Sequence, residues 1–306
     1  MVYEYAIEPA LAVAWCRKNP DVFQYFYESF GIGTSRIMSE FPKFKKWNRQ
    51  FKQAMVGAND FERLRSTELF KRLNETRIRR DGYEYDGNVP WLKNAEVEDI
   101  RFGFHAIMAL ENPNNRTKVL TSEKVYNHSL WKLEEQDLCP RKADDMAQLI
   151  SALISNCSEV HFIDQYFWPE ELEYRRPLEA FLKVIAIKKG CRPPLLKIVV
   201  HTSDKAIKKD FRKDCQEKLP GIIPAGMLVT LQRWKKREGG KSLHGRYILT
   251  DVGGIRVEPG IREGNAGEDF EVDLLKRNLY EKLWNDYIEH PAFDPVMAPI
   301  DVKGTA

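Results

Sequence analysis

The chain lacks most of the features that would place a protein quickly. Five of its 306 residues are cysteine: Cys16, Cys139, Cys157, Cys191 and Cys215. Their number is odd, their spacing is scattered and no Cys-x-x-Cys pair occurs, which argues against a disulfide framework and a structural zinc site. Free thiols in a reducing compartment are expected, and with them a cytoplasmic protein. No apolar run approaches the roughly 20 residues of a membrane helix. The opening, MVYEYAIEPALAVAWC, carries Glu4 and Glu8 but no basic leader segment, so it does not read as a secretory signal. Internal repeats and low-complexity tracts are missing.

Several catalytic and nucleotide-binding motifs are absent as well. Gly-x-Ser-x-Gly and His-Glu-x-x-His do not occur. GGKS at 239–242 is not a P-loop, because Lys235 stands where the leading Gly belongs and a strand, not a helix, follows. GIGTSR at 31–36 has Arg36 in place of the third Gly of a dinucleotide fingerprint.

What is present is a globular composition: 43% apolar, 30% charged, with 16 Phe, 12 Tyr and 7 Trp to fill a core. Net charge is only +3, but it is unevenly spread. Residues 36–80 hold thirteen Lys/Arg against five Asp/Glu, and residues 201–246 hold twelve against five. Residues 258–301 reverse the sign, with four against eleven. Two basic zones point to an anionic partner, nucleic acid being the commonest.

Residues 1–100 read as a mostly helical, basic N-terminal domain. A helix at 21–30 meets the turn Gly31–Gly33, Thr34 or Ser35 can cap the next helix, Pro42 opens a third that ends at Gly57, and a further basic helix runs from about 61 to 80; the helices of 21–56 have the outline of a helix-turn-helix. The same outline describes an ordinary helical hairpin. Residues 101–290 read as an α/β domain, and 291–306 as a tail. Strands are expected at 104–112, 159–167, 195–202, 227–234 and 243–250, with a short one following in GGIRVEPG, 253–260. Helices are expected at 141–157, at 175–190 with Gly190 as its stop, at 203–219 capped by Ser203 or Asp204, and at 274–290. This alternation predicts a mixed, mainly parallel sheet covered by helices on both faces. His105 and His128 read as structural. His161 falls inside a strand and His201 at the end of one. Asp164 falls at the carboxyl end of a strand, where open α/β sheets place their sites; a loop cap is the competing reading.

The stretch LHGRYILTD, 243–251, stands out. On a continuous strand His244 and Arg246 leave the same face, about 7 Å apart. Guanidinium offers a fixed fork of donors to phosphate oxygens, and imidazole can attack phosphorus or protonate a leaving oxygen. Asp251, just past the strand, is a candidate to orient His244. Asp164, Arg233, Lys235 and Lys241 are the candidate substrate-binding residues around it.

The spacing His-x-Arg-x4-Asp resembles the His-x-Lys-x4-Asp signature of the phospholipase D superfamily, over residues from about 140 to 290. The resemblance implies a phospholipase D-like fold, a phosphohistidine at His244, phosphate held by Arg246, and neither metal nor cofactor. With one motif copy in the chain, it also implies a homodimer that builds one site from two chains. Arg246 departs from the family's Lys, and the family's downstream Gly-Ser and Asn elements have only loose stand-ins at Gly253-Gly254 and Gly264-Asn265. The stretch HGRYILTDVGGIRVEPGI is also similar to the phospholipase D-like C-terminal domain of MIT-domain proteins. Those carry Arg at the same place, and that likeness implies binding of anionic lipid without catalysis.

The expectation is therefore a metal-independent phosphodiesterase, a nuclease acting on nucleic acid. The family's bacterial uses imply restriction or phage defence, with partner proteins the sequence does not name. The alternative is a catalytically silent module that binds nucleic acid or other phosphate groups. Nucleic acid is preferred to lipid because no exposed amphipathic apolar element suits a membrane surface. A third reading is a helical DNA-binding protein with an α/β half; its mark would be a His244 and Arg246 that do not share a strand face.

Overall fold

The computed structural model describes residues 2–80, 82–187, 197–205 and 210–306. They divide into two compact units, the first taking Val2–Glu134 and the second the described residues from Glu135 to Ala306. The expected boundary near residue 100 moves to 134/135. Among the described residues no helix is long and apolar enough to cross a membrane.

The first unit runs β1 (Tyr3–Ile7), α1 (Pro9–Arg17), α2 (Pro20–Glu28), β2 (Arg36–Met38), α3 (Phe44–Ala54), α4 (Asp60–Glu75), α5 (Trp91–Phe102), β3 (Ala106–Met108) and β4 (Val119–Leu120). Its strands form a parallel sheet in the order β2-β1-β3-β4. This unit is thus α/β, not a helical bundle. The helix-turn-helix outline fails for a specific reason. Arg36–Met38 is a strand paired with Tyr3–Tyr5, so a sheet crossover separates α2 from α3. Thr34 does not cap a helix; its hydroxyl donates to Gly31 O, and α3 begins at Phe44.

Period-two alternation sends the strands of the first unit into two apolar clusters. Tyr5, Ile7, Ala106, Met108 and Leu120 join Trp15, Phe26, Phe30 and Trp47, whereas Ala6, Ile107 and Val119 join Phe41, Trp91 and Phe104. Trp15 stacks on Phe26 at 4.4 Å, and the Trp47 indole N–H donates to Ile7 O at 2.7 Å. A fully buried Arg80 pairs with Glu4 (2.6 Å) and Glu98 (3.0 Å) and donates to Gly103 O (2.7 Å). The guanidinium fork thereby ties β1, α5 and the approach to β3 together.

The second unit runs β5 (Gln136–Pro140), α6 (Ala143–Ser155), β6 (Glu159–Asp164), α7 (Leu172–Ala186), β7 (Lys197–Ser203), α8 (Phe211–Lys218), β8 (Leu228–Lys235), β9 (Arg246–Thr250), β10 (Gly253–Glu258), β11 (Asp269–Leu274), α9 (Arg277–Trp284), β12 (Asp294–Pro295) and β13 (Ile300–Lys303). Among the described residues nine strands form one mixed sheet in the order β12-β8-β7-β6-β9-β10-β11-β5, with β13 also on β8. Its centre, β8-β7-β6, is parallel, and the strands on either side are antiparallel. Residues expected as a tail become β12 and β13, because Ile300 and Val302 bury against β8 while Asp301 and Lys303 face out.

The helix expected at 203–219 begins only at Phe211, where the Asp210 carboxylate accepts from Lys213 N–H. Ser203 is the last residue of β7 instead. The Gly190 stop, Cys191 and residues 206–209 lie outside the described residues.

Candidate functional site

The register of β6 and β9 sets the site. Asp164, at the carboxyl end of β6, sits opposite Arg246, the first residue of β9. Ser203 at the end of β7 sits opposite Trp234 near the end of β8. Because β9 is antiparallel, its start shares an edge with the carboxyl ends of the three parallel strands. Asp164, Arg233, Lys235 and Arg246 therefore gather at one edge of the sheet, and His244 and Lys241 belong to the segment that leads into it. Open α/β sheets place ligands at this edge.

Asp164 is buried at 1% exposure. Its carboxylate accepts from Tyr166 N–H at 2.9 Å and Ile261 N–H at 3.1 Å, holding the segment after β10 against the end of β6. Burial pushes the carboxyl above its ordinary range, while the two amides and the charges of Arg246 and Arg141 pull the other way. Gly260, with φ of +119°, crosses above this pair. A Cβ there would run into the Asp164 carboxylate and lie 2.6 Å from Arg246 Cδ.

Arg246 is 21% exposed and donates to Glu258 Oε2 at 3.1 Å. Its guanidinium lies 5.6 Å from the centre of the Tyr166 ring, which is itself 43% exposed. His244 is not on β9. Gly245 takes φ of +118°, and a Cβ there would lie 2.5 Å from the Tyr247 ring. That backbone turns His244 off the strand and leaves it exposed, its carbonyl accepting from the Tyr287 hydroxyl at 3.3 Å. The His244 ring has no hydrogen-bond partner among the described residues. The continuous strand on which the same-face expectation for His244 and Arg246 rested therefore begins only at Arg246. Yet the helical DNA-binding alternative gains nothing from this, since the first unit carries a sheet and no helix-turn-helix.

Asp251 is not brought to His244. It lies past the far end of β9, where its carboxylate accepts from Ser158 N–H (2.9 Å), the Ser158 hydroxyl and Glu159 N–H (3.2 Å). Its work is to fasten the start of β6 to the end of β9. Arg233 donates to Ser203 O at 3.2 Å and lies over the rings of Trp168 (5.4 Å) and Phe211 (5.3 Å). Lys235 and Lys241 are exposed, and Lys241 reaches Asp286 at 3.7 Å.

The sequence reading missed Glu258, Gly260, Tyr166 and Gly245. Only the run Glu258-Pro259-Gly260 signals a tight reversal after a strand. It also missed a buried polar chain. The Trp234 indole N–H donates to His201 Nδ1 (2.9 Å), His201 Nε2 meets His161 Nδ1 (2.8 Å), and His161 Nε2 meets Glu159 (2.7 Å), which also takes Lys197 (2.8 Å). Indole only donates, so His201 must accept at Nδ1 and donate from Nε2. His161 then accepts at Nδ1 and donates from Nε2 to the carboxylate. Each ring thus has a single tautomer that satisfies the chain. Burial pushes both imidazoles below the ordinary histidine value, His201 furthest, and the His161 hydrogen bond holds Glu159 down to about 2.

No family model matches the chain, and no curated protein matches it. Among solved structures it is similar to phosphatidylserine synthase from Haemophilus influenzae Rd KW20, at 14% identity and a TM-score of 0.33. That likeness covers 53% of this chain and 38% of the synthase, so the chain spans about two-fifths of that protein's length. The chain is a two-unit α/β protein whose second unit offers a cationic sheet edge.

Proposed function

We propose that the second unit is a phospholipase D-like phosphodiesterase acting on nucleic acid, with the sheet edge at Asp164 and Arg246 as its site. The observation that carries the reading is an exposed His244 two residues ahead of the part-exposed Arg246, which opens β9 at the carboxyl edge of the sheet. In this reading the His244 imidazole attacks phosphorus and forms a phosphorus–nitrogen bond as the bond to the leaving oxygen breaks. His244 of a second copy of the chain protonates that oxygen, and water later cleaves the phosphohistidine. Arg246 holds the non-bridging oxygens. Lys235 and Lys241 hold flanking phosphates, and Arg233 adds positive potential from beside them. Asp164 serves as the post that fixes Arg246's strand and the Gly260 crossing. Asp251 braces the far end of β9 and takes no part in the chemistry. The test is cleavage of single- and double-stranded DNA and RNA in excess EDTA. Wild type cleaves and His244→Ala does not; equal cleavage by both removes His244 from the chemistry.

One observation favours a second reading. Arg246 is already paired with Glu258 at 3.1 Å, which lowers its availability to phosphate. On that reading the edge binds phosphate-rich partners without turning them over. Salt-sensitive binding with no cleavage by the wild type selects it.

A further inference from the structure

The first unit has a cavity of its own, of about 640 Å³, within the range of small-molecule sites. Lys43, Lys45, Lys46 and Arg49 line it with Tyr83 and Tyr85, and no carboxylate stands among the described lining residues. None of the four cations makes an ion pair among the described residues.

Its place in the fold is specific. Lys43 caps α3, which follows the carboxyl end of β2. Ser39 and Ile78 form a parallel bridge, so the chain leaves residue 78 at the same edge as it leaves residue 39. The loop with Tyr83 and Tyr85 then runs on to α5. Both walls of the cavity therefore rise from the carboxyl edge of a parallel sheet, where α/β units take ligands.

The charges are arranged against the interest of the isolated helix. A helix N-terminus favours anions and disfavours cations. Yet α3 has no acidic residue in its first turn, and Lys43, Lys45 and Lys46 crowd there instead. Lys45 and Arg49 add a like-charge pair at i and i+4, which also destabilises a helix. A bound anion would offset these repulsions and complement the helix N-terminus.

The tyrosines add a second, different signal. Tyr83 and Tyr85 pack edge-on against Phe41, at 5.2 and 5.6 Å, which fixes their rings. The Gln50 amide donates to the Tyr85 hydroxyl at 3.0 Å, and Lys46 Nζ lies 4.1 Å from the Tyr85 ring centre. Cations beside fixed aromatic rings suit a ligand with a phosphate and a flat base.

The geometry points to a nucleotide-binding site in this cavity. The phosphate sits among Lys43, Lys45, Lys46 and Arg49 at the start of α3, and the base lies against the tyrosine wall. The ligand is a free nucleotide or a nucleotide of a single strand. This site is separate from the phosphodiesterase edge and does not depend on it.

The full-length chain is titrated calorimetrically with AMP, adenosine, inorganic phosphate and a short oligothymidylate. AMP or the oligonucleotide binds at least about tenfold tighter than adenosine or phosphate alone, a step of about 1.4 kcal/mol. AMP without the oligonucleotide marks a free nucleotide, and the reverse marks a strand; either supports the site. Lys46→Glu and Arg49→Glu each weaken that ligand at least tenfold, and Tyr85→Leu removes its advantage over phosphate. Lys303→Glu, a charge reversal in the other unit, binds as wild type, and circular dichroism confirms that each variant folds. The proposal is overturned if neither AMP nor the oligonucleotide binds. It is equally overturned if folded Lys46→Glu keeps full affinity, or if Lys303→Glu weakens binding as much as Lys46→Glu does.

Discussion

Asp164 and Arg246 face each other across β6 and β9, and the backbone of Gly260 crosses over both, with Ile261 N–H bonded to the Asp164 carboxylate at 3.1 Å. The crossing requires a residue without a side chain. Gly260→Ala combines a left-handed φ with a collision against the Asp164 carboxylate and Arg246. It is expected to lose about 1–3 kcal/mol of stability, read from urea unfolding. An unchanged midpoint would show that the crossing can relax.

Glu258 governs how far Arg246 is available. Glu258→Gln keeps the size of the side chain and removes the charge 3.1 Å from the guanidinium. Part-exposed pairs of this kind hold up to about 1 kcal/mol, so inorganic phosphate or a short oligonucleotide should bind up to about fivefold tighter. Arg246→Ala should abolish the gain. Titration of the single and double variants checks this, and equal affinities throughout would place phosphate elsewhere.

The His161–His201 chain makes the second unit sensitive to acid. Burial lowers both folded imidazoles below the ordinary 6.5. From about pH 6.5 downward the unfolded chain takes up protons that the folded chain refuses, so stability falls as pH falls. Each proton contributes a slope of about 1.4 kcal/mol per pH unit. Glu159, held down to about 2, adds a loss in the same direction below its ordinary 4.5. Urea unfolding between pH 8 and 5 reads the slope. His201→Gln should flatten it, and a flat wild-type profile would rule out neutral buried imidazoles.

Arg80 holds the first unit together by charge where its neighbours use packing. Arg80→Met leaves Glu4 and Glu98 buried without their cation, which should cost about 3–5 kcal/mol. Adding Glu4→Gln and Glu98→Gln should restore part of the loss. Thermal unfolding of the single and triple variants measures both. A triple variant no more stable than Arg80→Met would mean that the hydrogen bond to Gly103 O, not the charges, is what was lost.

The legible parts of the fold were those with a clear apolar run or stripe. Val160, Phe162 and Ile163 announce β6, Ile198–Val200 announce β7, and the stripe Met146, Leu149, Leu153 and Ile154 announces α6, although Leu149 is only half-buried and Ile150 takes its place in the core. The strands that were missed carry no such pattern. β2 is three residues long, and β5, Gln136–Pro140, is largely exposed at a sheet edge, so its pairing with β11 rests on backbone bonds that any side chain permits. At the site, the residue types and the edge were legible, but the break of the strand before Arg246 was not. A motif spacing assumes a continuous strand, and Gly245 breaks that assumption through one dihedral angle. The His161–His201 chain was hidden for a different reason. Its partners lie on three strands, and only the register of β6, β7 and β8 brings Glu159, His161, His201 and Trp234 into line.

The central claim is that His244 becomes covalently attached to phosphorus. Its most direct test mixes wild-type protein with an oligonucleotide radiolabelled at its internal phosphates, in excess EDTA, and quenches the reaction rapidly in alkaline denaturant. The account predicts label that stays on the protein in base, is released by acid, maps to the peptide containing His244 and is missing from His244→Ala. Cleavage that proceeds with no label on the protein, or label that persists in His244→Ala, would contradict it.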